Sequence, residues 1–151
     1  MNGKVKEYYN DKLIFEGEYI NGKRNGKGKE YWNDKLKLKF DGEYLNDKRI
    51  GIGKEYYNGE VRFEGKYING RRNGKGKEYY DNKIVFEGEY FNGNIYNGRW
   101  KEYDFNNNEL LFEGEYLKGE RFSGKGKEYN TYERKLSFEG EYLNGKKKWN
   151  S

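Results

Sequence analysis

The feature that most constrains the fold of this chain is an internal repeat. The string F-[ED]-G-[EK]-Y occurs six times in 151 residues, beginning at Phe15, Phe40, Phe63, Phe86, Phe112 and Phe138. The string K-E-Y also occurs six times, ending at Tyr8, Tyr31, Tyr56, Tyr79, Tyr103 and Tyr129, and the two strings alternate without exception. A period this short is typical of repeat proteins, in which each unit is stabilised by stacking on its neighbours.

Each unit has the pattern of a β-hairpin. The F-x-G-x-Y string has the period of two that a strand with one buried face requires. An aliphatic residue lies two positions before each Phe, so the pattern predicts that the aliphatic residue, Phe, Gly and Tyr share the buried face. These aliphatic residues are Leu13, Leu38, Val61, Ile84, Leu110 and Leu136. Gly in this row leaves room for an aromatic ring of a neighbouring strand to lie over the backbone.

Turn-forming residues separate the predicted strands. Short Asn/Asp-rich turns follow K-E-Y at Asn10–Asp11, Asn33–Asp34, Asn58–Gly59 and Asp81–Asn82, as hairpins prefer. The segments N-G-K-R-N-G at 21–26 and N-G-R-R-N-G at 69–74 are interpreted as return loops, with Gly supplying positive φ. A second aromatic residue often follows K-E-Y, and the sequence leaves open which ring of the pair faces the core. The residues at this position are Tyr9, Trp32, Tyr57, Tyr80, Asp104 and Asn130.

Composition excludes several classes of protein. Only 32% of the residues are hydrophobic and 38% are charged, but the 19% aromatic content supplies large burial per residue. A thin, elongated core built on rings fits these values better than a compact globule. The chain has no His and no Cys, so disulfides and Cys/His metal sites are excluded. No apolar run reaches the ~18 residues of a membrane span, and the sequence predicts a soluble, cytoplasmic protein, membrane-peripheral if its basic residues bind lipid.

The pattern F-E-G-E-Y-x-N-G-K-x-x-G-x-G-K-E-Y-Y resembles the MORN (membrane occupation and recognition nexus) repeat, with Tyr19 and its equivalents where many units have Trp. It is also similar to the variant MORN units of small bacterial proteins described as antitoxins. The resemblance covers nearly the whole chain and implies an all-β fold, an elongated single-layer antiparallel sheet of six tandem MORN-type β-hairpins in a solenoid-like ribbon. One domain over 1–151 is expected, with units at about 3–22, 23–47, 48–70, 71–93, 94–119 and 120–145 and a C-terminal tail at 146–151.

Departures from the repeat are concentrated in the C-terminal half. The G-x-G element is intact in units 2, 3, 4 and 6, but it is broken at Gly3/Val5 in the first unit and at Gly98/Trp100 in the fifth. The fifth unit also has an irregular loop at 94–97. Aromatic residues are lost at Asp104 and Asn130. We expect any specific site to lie at Trp100, at the loop 94–97, at Asp104 and Asn130, or at the Lys-Trp tail.

Catalysis is not expected. Paired acids such as Glu16/Glu18 could in principle work on a sugar, but the pair recurs in five of six units, whereas a catalytic site needs one distinctive constellation. The preferred interpretation is a solvated ladder facing Lys29, Lys54, Lys77, Lys101 and Lys127. A nucleophilic triad cannot be assembled without His or Cys. We therefore predict no catalytic, cofactor-binding or metal-binding residue and no cofactor.

Two surfaces are candidates for binding. The first is a basic rim that could meet an anionic membrane or an acidic partner, against the alternative that these residues only solvate the turns; its members are Lys23, Arg24, Lys48, Arg49, Arg71, Arg72, Arg121, Lys146 and Lys147. The second is an apolar strip at outward-facing positions, and its members are Ile20, Leu45, Ile68, Phe91, Leu117 and Leu143.

The leading functional hypothesis is a non-catalytic scaffold that binds a protein partner or itself, as the resemblance implies. Binding of phosphoinositide-type membranes through the basic rim is the alternative, and inhibition of one cognate protein, as an antitoxin, is a third. Nucleic acid is not expected as a partner, because the net charge of +5 is mild and the aromatic residues have core spacing.

Overall fold

The computed structural model describes residues 2–32 and 37–149. They form one open antiparallel sheet of 13 strands in which every strand pairs with its neighbours in sequence. The strands are β1 Gly3–Tyr9, β2 Lys12–Ile20, β3 Lys23–Tyr31, β4 Leu38–Leu45, β5 Lys48–Tyr57, β6 Glu60–Ile68, β7 Arg71–Tyr80, β8 Lys83–Phe91, β9 Asn94–Asp104, β10 Glu109–Leu117, β11 Glu120–Tyr129, β12 Leu136–Leu143 and β13 Lys146–Trp149. The predicted all-β, single-layer antiparallel ribbon is confirmed. At ~4.8 Å per strand it is about 58 Å across its strands.

Tight turns of two residues connect most strands. Both central residues have positive φ, as in Asn21–Gly22, with φ of 52° and 78°, and Asp81–Asn82, with φ of 53° and 62°. These values are those of type I′ turns, whose twist matches that of the flanking strands. The interpretation of N-G-K-R-N-G as a return loop is wrong beyond its first two residues, because β3 begins at Lys23 and β7 at Arg71. The predicted turn at Asn33–Asp34 lies outside the described residues.

The core is a row of Phe and Tyr rings on one face of the sheet, which we call the aromatic face. Five of the six repeat Phe side chains have no exposed surface and the sixth, Phe138, is 2% exposed. Phe15 lies over Gly17 and Gly28, where an added Cβ would come within 2.7 Å of the ring. The Tyr of the next unit closes the ring edge-on, as in the pair Phe15–Tyr44 with centroids 5.3 Å apart. A single-layer sheet can thus bury its Phe rings against glycine backbone and neighbouring rings.

The aliphatic residues before each Phe do not join this core, contrary to expectation. In every unit a β-bulge lies between the K-E-Y strand and the following strand, so that Glu7 pairs with Phe15 but Tyr8 pairs with Leu13. The extra residue interrupts the period-two alternation, so that the aliphatic side chain no longer lies on the same face as the Phe. The affected residues are Leu13, Leu38, Val61, Ile84, Leu110 and Leu136, and the last is 48% exposed. The sequence left open which ring of each K-E-Y-Y pair faces the core. Neither ring does, because the buried clusters contain no residue of those pairs.

Two tryptophans contact a repeat Phe edge-on, as the Tyr of the next unit does elsewhere. Trp100, at the broken G-x-G, lies between Phe86 and Tyr116, with ring centroids 6.0 and 4.8 Å away. It joins one buried cluster, from Phe15 to Tyr90, to a second, from Phe112 to Tyr142. At the C-terminal end, Trp149 packs edge-on against Phe138 at 4.9 Å. It belongs to β13, a thirteenth strand formed where the sequence predicted a tail.

Candidate interaction surfaces

The face opposite the aromatic one, which we call the outer face, carries a ladder of alternating charges along its centre. Glu16 pairs with Lys29, and Lys29 pairs in turn with Asp41. The same alternation continues through Lys54, Glu64, Lys77 and Glu87. Lys77 and Glu87 approach to 3.5 Å and Lys101 and Glu113 to 3.7 Å. The predicted acid–lysine ladder is confirmed, and its exposed pairs are of the kind that contributes a few tenths of a kcal/mol each.

The predicted apolar strip lies on the outer face beside the Asn-Gly turns. Its six side chains keep between 42% (Leu117) and 62% (Phe91) of their surface exposed, and all occupy the last position of their strands. Because every second strand contributes one side chain, they follow one another at about 9.6 Å. The structure therefore brings all six predicted residues together in one row of exposed apolar surface.

The predicted basic rim divides into two sets on opposite faces. Ile20 pairs with Lys23, Leu45 with Lys48 and Ile68 with Arg71, and directly paired residues share a face, so these three cations lie beside the apolar strip. Lys146 pairs with Leu143 in the same way. The remaining members, Arg24, Arg49, Arg72, Arg121 and Lys147, pair with the repeat Tyr instead and lie on the aromatic face.

Each arginine of the aromatic face is a structural element of its unit. Arg49 lies over the ring of Phe40, with its guanidinium carbon 4.0 Å from the centroid, and donates to Glu30 at 2.8 Å. The Tyr44 hydroxyl donates to the same carboxylate. The arrangement recurs at the positions of Arg24, Arg72 and Arg121. These guanidinium groups are therefore already paired with carboxylates of this chain, which sequence spacing alone did not indicate.

The electrostatics of this cluster favour charged glutamates and neutral tyrosines. Burial acts to raise the pKa of Glu30, but hydrogen bonds from Arg49 and Tyr44 outweigh it and the pKa is lowered. The pKa of Glu55 is lowered in the same way, with Arg72 outweighing burial. Burial and the hydrogen bond to Glu30 raise the pKa of Tyr44. Such shifts often mark active sites, but here they recur along the chain and follow from a structural ion pair.

The fifth unit lacks the cation that units 2, 3, 4 and 6 place on the aromatic face. Ile95 pairs with Tyr90 where the other units have Arg or Lys, and it packs against the first buried cluster. Glu78, which lacks an arginine from the following strand, is bonded instead by Arg72 at 2.9 Å and by the Tyr90 hydroxyl at 2.6 Å. The irregular loop that the sequence predicted at 94–97 is part of β9.

Sequence reasoning missed a second aromatic row at the K-E-Y end of the units, which we call the K-E-Y row. Trp32 contacts Tyr57 edge-on at 6.1 Å, and Lys39 lies 4.8 Å from the Trp32 centroid. Arg62 lies between Tyr57 and Tyr80, at 5.3 and 5.4 Å, and Tyr80 contacts Phe105 at 4.5 Å. Two features of the sequence could have indicated this row. One is the second aromatic residue after K-E-Y, and the other is the cation just before a repeat Phe, as at Lys39 and Arg62.

A groove of about 1040 Å³ opens where the K-E-Y row ends. Asp104 and Asn130, the two positions at which the aromatic residue is lost, both line it, and Leu111 contributes an apolar side chain. Three of its acids are paired with cations, as Glu102 with Arg121, Glu109 with Lys127 and Glu128 with Lys147. The departures that the sequence singled out at Asp104 and Asn130 are thus brought together, whereas Trp100 lies in the core.

Residues 2–32 and 37–149 contain no group of three or more Asp or Glu side chains placed to hold a metal ion. Within the same ranges, no helix has the length and hydropathy needed to cross a membrane.

Comparison with known proteins matches the repeats in the N-terminal half. The family model of the MORN repeat matches residues 15–37, 40–61 and 63–84. Residues 15–84 are therefore MORN repeats, and the sequence resemblance is confirmed there. No curated protein matches the chain.

Proposed function

We propose that this chain, whose residues 15–84 are MORN repeats, is a non-catalytic scaffold that binds protein through the apolar strip, with a second copy of itself as the simplest partner. MORN repeats are generally non-catalytic scaffolds. The observation that carries the proposal is the strip itself, six large apolar side chains exposed at one repeat position in a chain with few apolar residues. Exposed apolar side chains that line up on one face of a protein suit an interaction site.

The strip is also held in place by the units themselves. Five of the six turns beside it are bonded to the first strand of their own unit, as where Gly70 N donates to the Arg49 carbonyl at 3.0 Å and Gly93 N to the Arg72 carbonyl at 2.8 Å. Equivalent bonds start from Asp47, Gly119 and Gly145. A surface ordered before binding loses little conformational entropy on association. The ribbon can therefore present the strip to a partner without rearranging.

The test is the molar mass in solution, measured by light scattering over a range of concentrations. We expect the unaltered chain to self-associate and the double variant Leu45→Asp/Ile68→Asp to be monomeric, because two charges would be buried in the contact. Ile52→Asp is the matched control, since Ile52 is 65% exposed on the same face but lies outside the strip. A strictly monomeric unaltered chain, or equal effects of the strip and control variants, would overturn the proposal.

Binding to an anionic membrane is a second candidate, favoured by one observation. In units 1 to 3 the apolar residues Ile20, Leu45 and Ile68 each stand beside a cation, and in units 4 and 5 the equivalent partners are Asn94 and Glu120. Apolar and basic side chains on one face suit a headgroup interface, at about 1 kcal/mol per cation.

Sedimentation with anionic vesicles at low and high salt tests this candidate. Adsorption through Lys23, Lys48 and Arg71 must weaken with salt, because screening shortens the range of the attraction. Replacing these three cations by Gln should abolish binding. Arg24→Gln, on the opposite face, is the comparison, and binding that ignores both salt and the triple replacement contradicts the candidate.

A further inference from the structure

Asn-Gly pairs form four of the turns beside the apolar strip, and each of these turns is held by an additional hydrogen bond. The pairs are Asn21–Gly22, Asn69–Gly70, Asn92–Gly93 and Asn144–Gly145. In three of them the glycine amide donates to a carbonyl of the first strand of the same unit, and these donors are Gly70, Gly93 and Gly145. In the remaining turn the Asn21 amide donates to Asn2 Oδ1 at 2.8 Å. Opening any of these turns therefore costs a bond beyond those of its hairpin.

The turn Asn58–Gly59 lies at the opposite end of the units and is not held in this way. Its residues have φ of 51° and 80°, as in the other type I′ turns. Among residues 2–32 and 37–149, no hydrogen bond starts from the amide of Asn58 or of Gly59. The space beside Gly59 is open, because a Cβ built there would meet nothing within 4 Å. A turn with fewer bonds opens locally at a lower free energy.

The side chain of Asn58 has a contact that bears on its reactivity. Lys37 Nζ donates to Asn58 Oδ1 at 3.2 Å. The ammonium group polarises the amide carbonyl, and it lies where negative charge would collect on Oδ1 if a nucleophile attacked Cγ. The next nitrogen along the chain, Gly59 N, closes a five-membered ring when it attacks this carbon. Glycine has no side chain to hinder the approach.

We propose that Asn58 is a site of spontaneous modification, at which Gly59 N displaces the side-chain amide with the assistance of Lys37. Gly59 N loses its proton to hydroxide and bonds to Asn58 Cγ, while the carbonyl electron pair moves onto Oδ1 beside Lys37 Nζ. When this pair returns, the Cγ–Nδ2 bond breaks, and Nδ2 takes a proton from water and leaves as ammonia. Water then opens either carbonyl of the resulting succinimide, which leaves aspartate or isoaspartate at position 58.

The modification changes both the charge and the backbone at this end of the unit. Either product places a carboxylate near Lys37 and next to Tyr57, a half-exposed ring of the K-E-Y row. The isoaspartate product also adds a backbone carbon to a turn of two residues, whose type I′ geometry has no room for it. Because Asn58 and the apolar strip lie at opposite ends of β6, this inference does not depend on the proposed function.

Peptide mapping by mass spectrometry tests the proposal on the full chain incubated at mildly alkaline pH. The deamidated fraction is followed over time at each Asn-Gly turn. We expect Asn58 to react at least about fivefold faster than Asn69, Asn92 and Asn144, because those turns must break one more hydrogen bond before the attack. In guanidinium chloride, where the chain is unfolded, the four sites should react at similar rates.

A lysine variant examines the assistance separately from the opening of the turn. Lys37→Gln removes the charge next to Oδ1 and should slow the reaction of Asn58 about threefold to tenfold in the folded chain. The same variant should leave the rate in guanidinium chloride unchanged. Lys83→Gln is the matched control, since Lys83 precedes Ile84 as Lys37 precedes Leu38, and it should not alter the rate at Asn58.

Three results would overturn the inference. The first is an equal rate at Asn58 and Asn69 in the folded chain, and the second is a rate at Asn58 that Lys37→Gln does not reduce. The third is an advantage of Asn58 that persists in guanidinium chloride, because the difference would then come from the neighbouring sequence and not from the fold.

Discussion

The repeat Phe is buried in a single-layer sheet because glycine backbone, a tyrosine ring and an arginine side chain surround it. Phe63 lies over Gly65 and Gly76, with Tyr90 at its edge and Arg72 above it at 4.0 Å. The guanidinium is held in turn by Glu55 at 2.9 Å. The arginine therefore replaces the second layer that a larger protein would place over such a ring, and it combines a cation–π contact with an ion pair.

This arrangement predicts that replacing two adjacent arginines has very different effects on stability. Arg72→Ala exposes Phe63 and leaves the partly buried Glu55 without its main partner, so we expect a loss of roughly 2–3 kcal/mol in the free energy of unfolding. Arg71→Ala, on the outer face, should change it by no more than about 0.5 kcal/mol. Urea unfolding of both variants provides the measurement, and equal losses would contradict the assigned faces.

The same clusters set the pH range of stability. The lowered pKa of Glu30 and Glu55 means that these groups stabilise the fold above their ordinary pKa, near 4.5, and that this stabilisation is lost as the pH falls through the lowered values. The raised pKa of Tyr44 has the opposite sign. Its neutral form stabilises the fold below pH 10, and this contribution is lost as the pH rises further. We expect a stability plateau bounded by an acid limb and an alkaline limb.

Replacing one carboxylate separates the acid limb from general charge effects. Glu30→Gln should lower stability at pH 7 but reduce the slope of the free energy of unfolding against pH below about 5, because one linked proton is removed. Glu43→Gln, exposed on the outer face, should leave the slope unchanged. Chemical unfolding at several pH values measures this, and a slope unaltered by Glu30→Gln would rule out the assignment.

At the scale of single elements, β1 and β13 each pair with only one strand among residues 2–32 and 37–149. β13 has four residues, pairs with β12 over Gly140–Leu143 and carries Lys146, Lys147 and Lys148. Charged residues are a common means of protecting an edge from further pairing. Trp149 adds a cap, because its ring closes Phe138 as a repeat Tyr closes the Phe of the preceding unit.

The cap can be tested by amide hydrogen exchange. Trp149→Ala removes the ring that anchors β13, so the amides of β13 should exchange at least about tenfold faster while those of β6 stay protected. Lys148→Ala, which pairs with Glu141 on the outer face, serves as the control. Protection of β13 that survives the loss of Trp149 would show that backbone pairing alone holds this strand.

For the whole molecule, the core consists of two buried clusters joined through Trp100. Repeat proteins unfold as units coupled through their interfaces, and a weak interface separates the transitions. Trp100→Ala removes the contacts with both Phe86 and Tyr116. We therefore expect unfolding in one transition for the unaltered chain and in two for the variant.

Calorimetry and residue-resolved hydrogen exchange would distinguish the two cases. In the variant, amides of β10 to β12 should open at a lower free energy than amides of β4 to β7. Tyr103→Ala, which removes a partly exposed ring from the same strand outside the buried clusters, is the comparison. A single transition that merely shifts in temperature would show that Trp100 does not couple the two clusters.

The period, the hairpin unit, the antiparallel ribbon and the Phe-Gly-Tyr core could all be predicted from the sequence, because they depend on residues that recur at fixed spacing. It also predicted the charge ladder and the exposed position of the apolar strip, since period-two alternation assigns faces wherever a strand is regular. Whether the strip binds a partner remains a prediction.

Where the alternation is interrupted, the face of each side chain depends on the strand register, which is a property of the folded sheet. A bulge in each unit moves Leu13 and its equivalents out of the core. No short-range pattern in the sequence indicates this bulge. The sequence did not indicate which of the adjacent cations Lys23 and Arg24 lies on the aromatic face. That depends on the strand register, which places Arg24 over a Phe ring. The groove at Asp104 and Asn130 likewise needed the stacking of units, since it exists only between side chains that are about 26 residues apart.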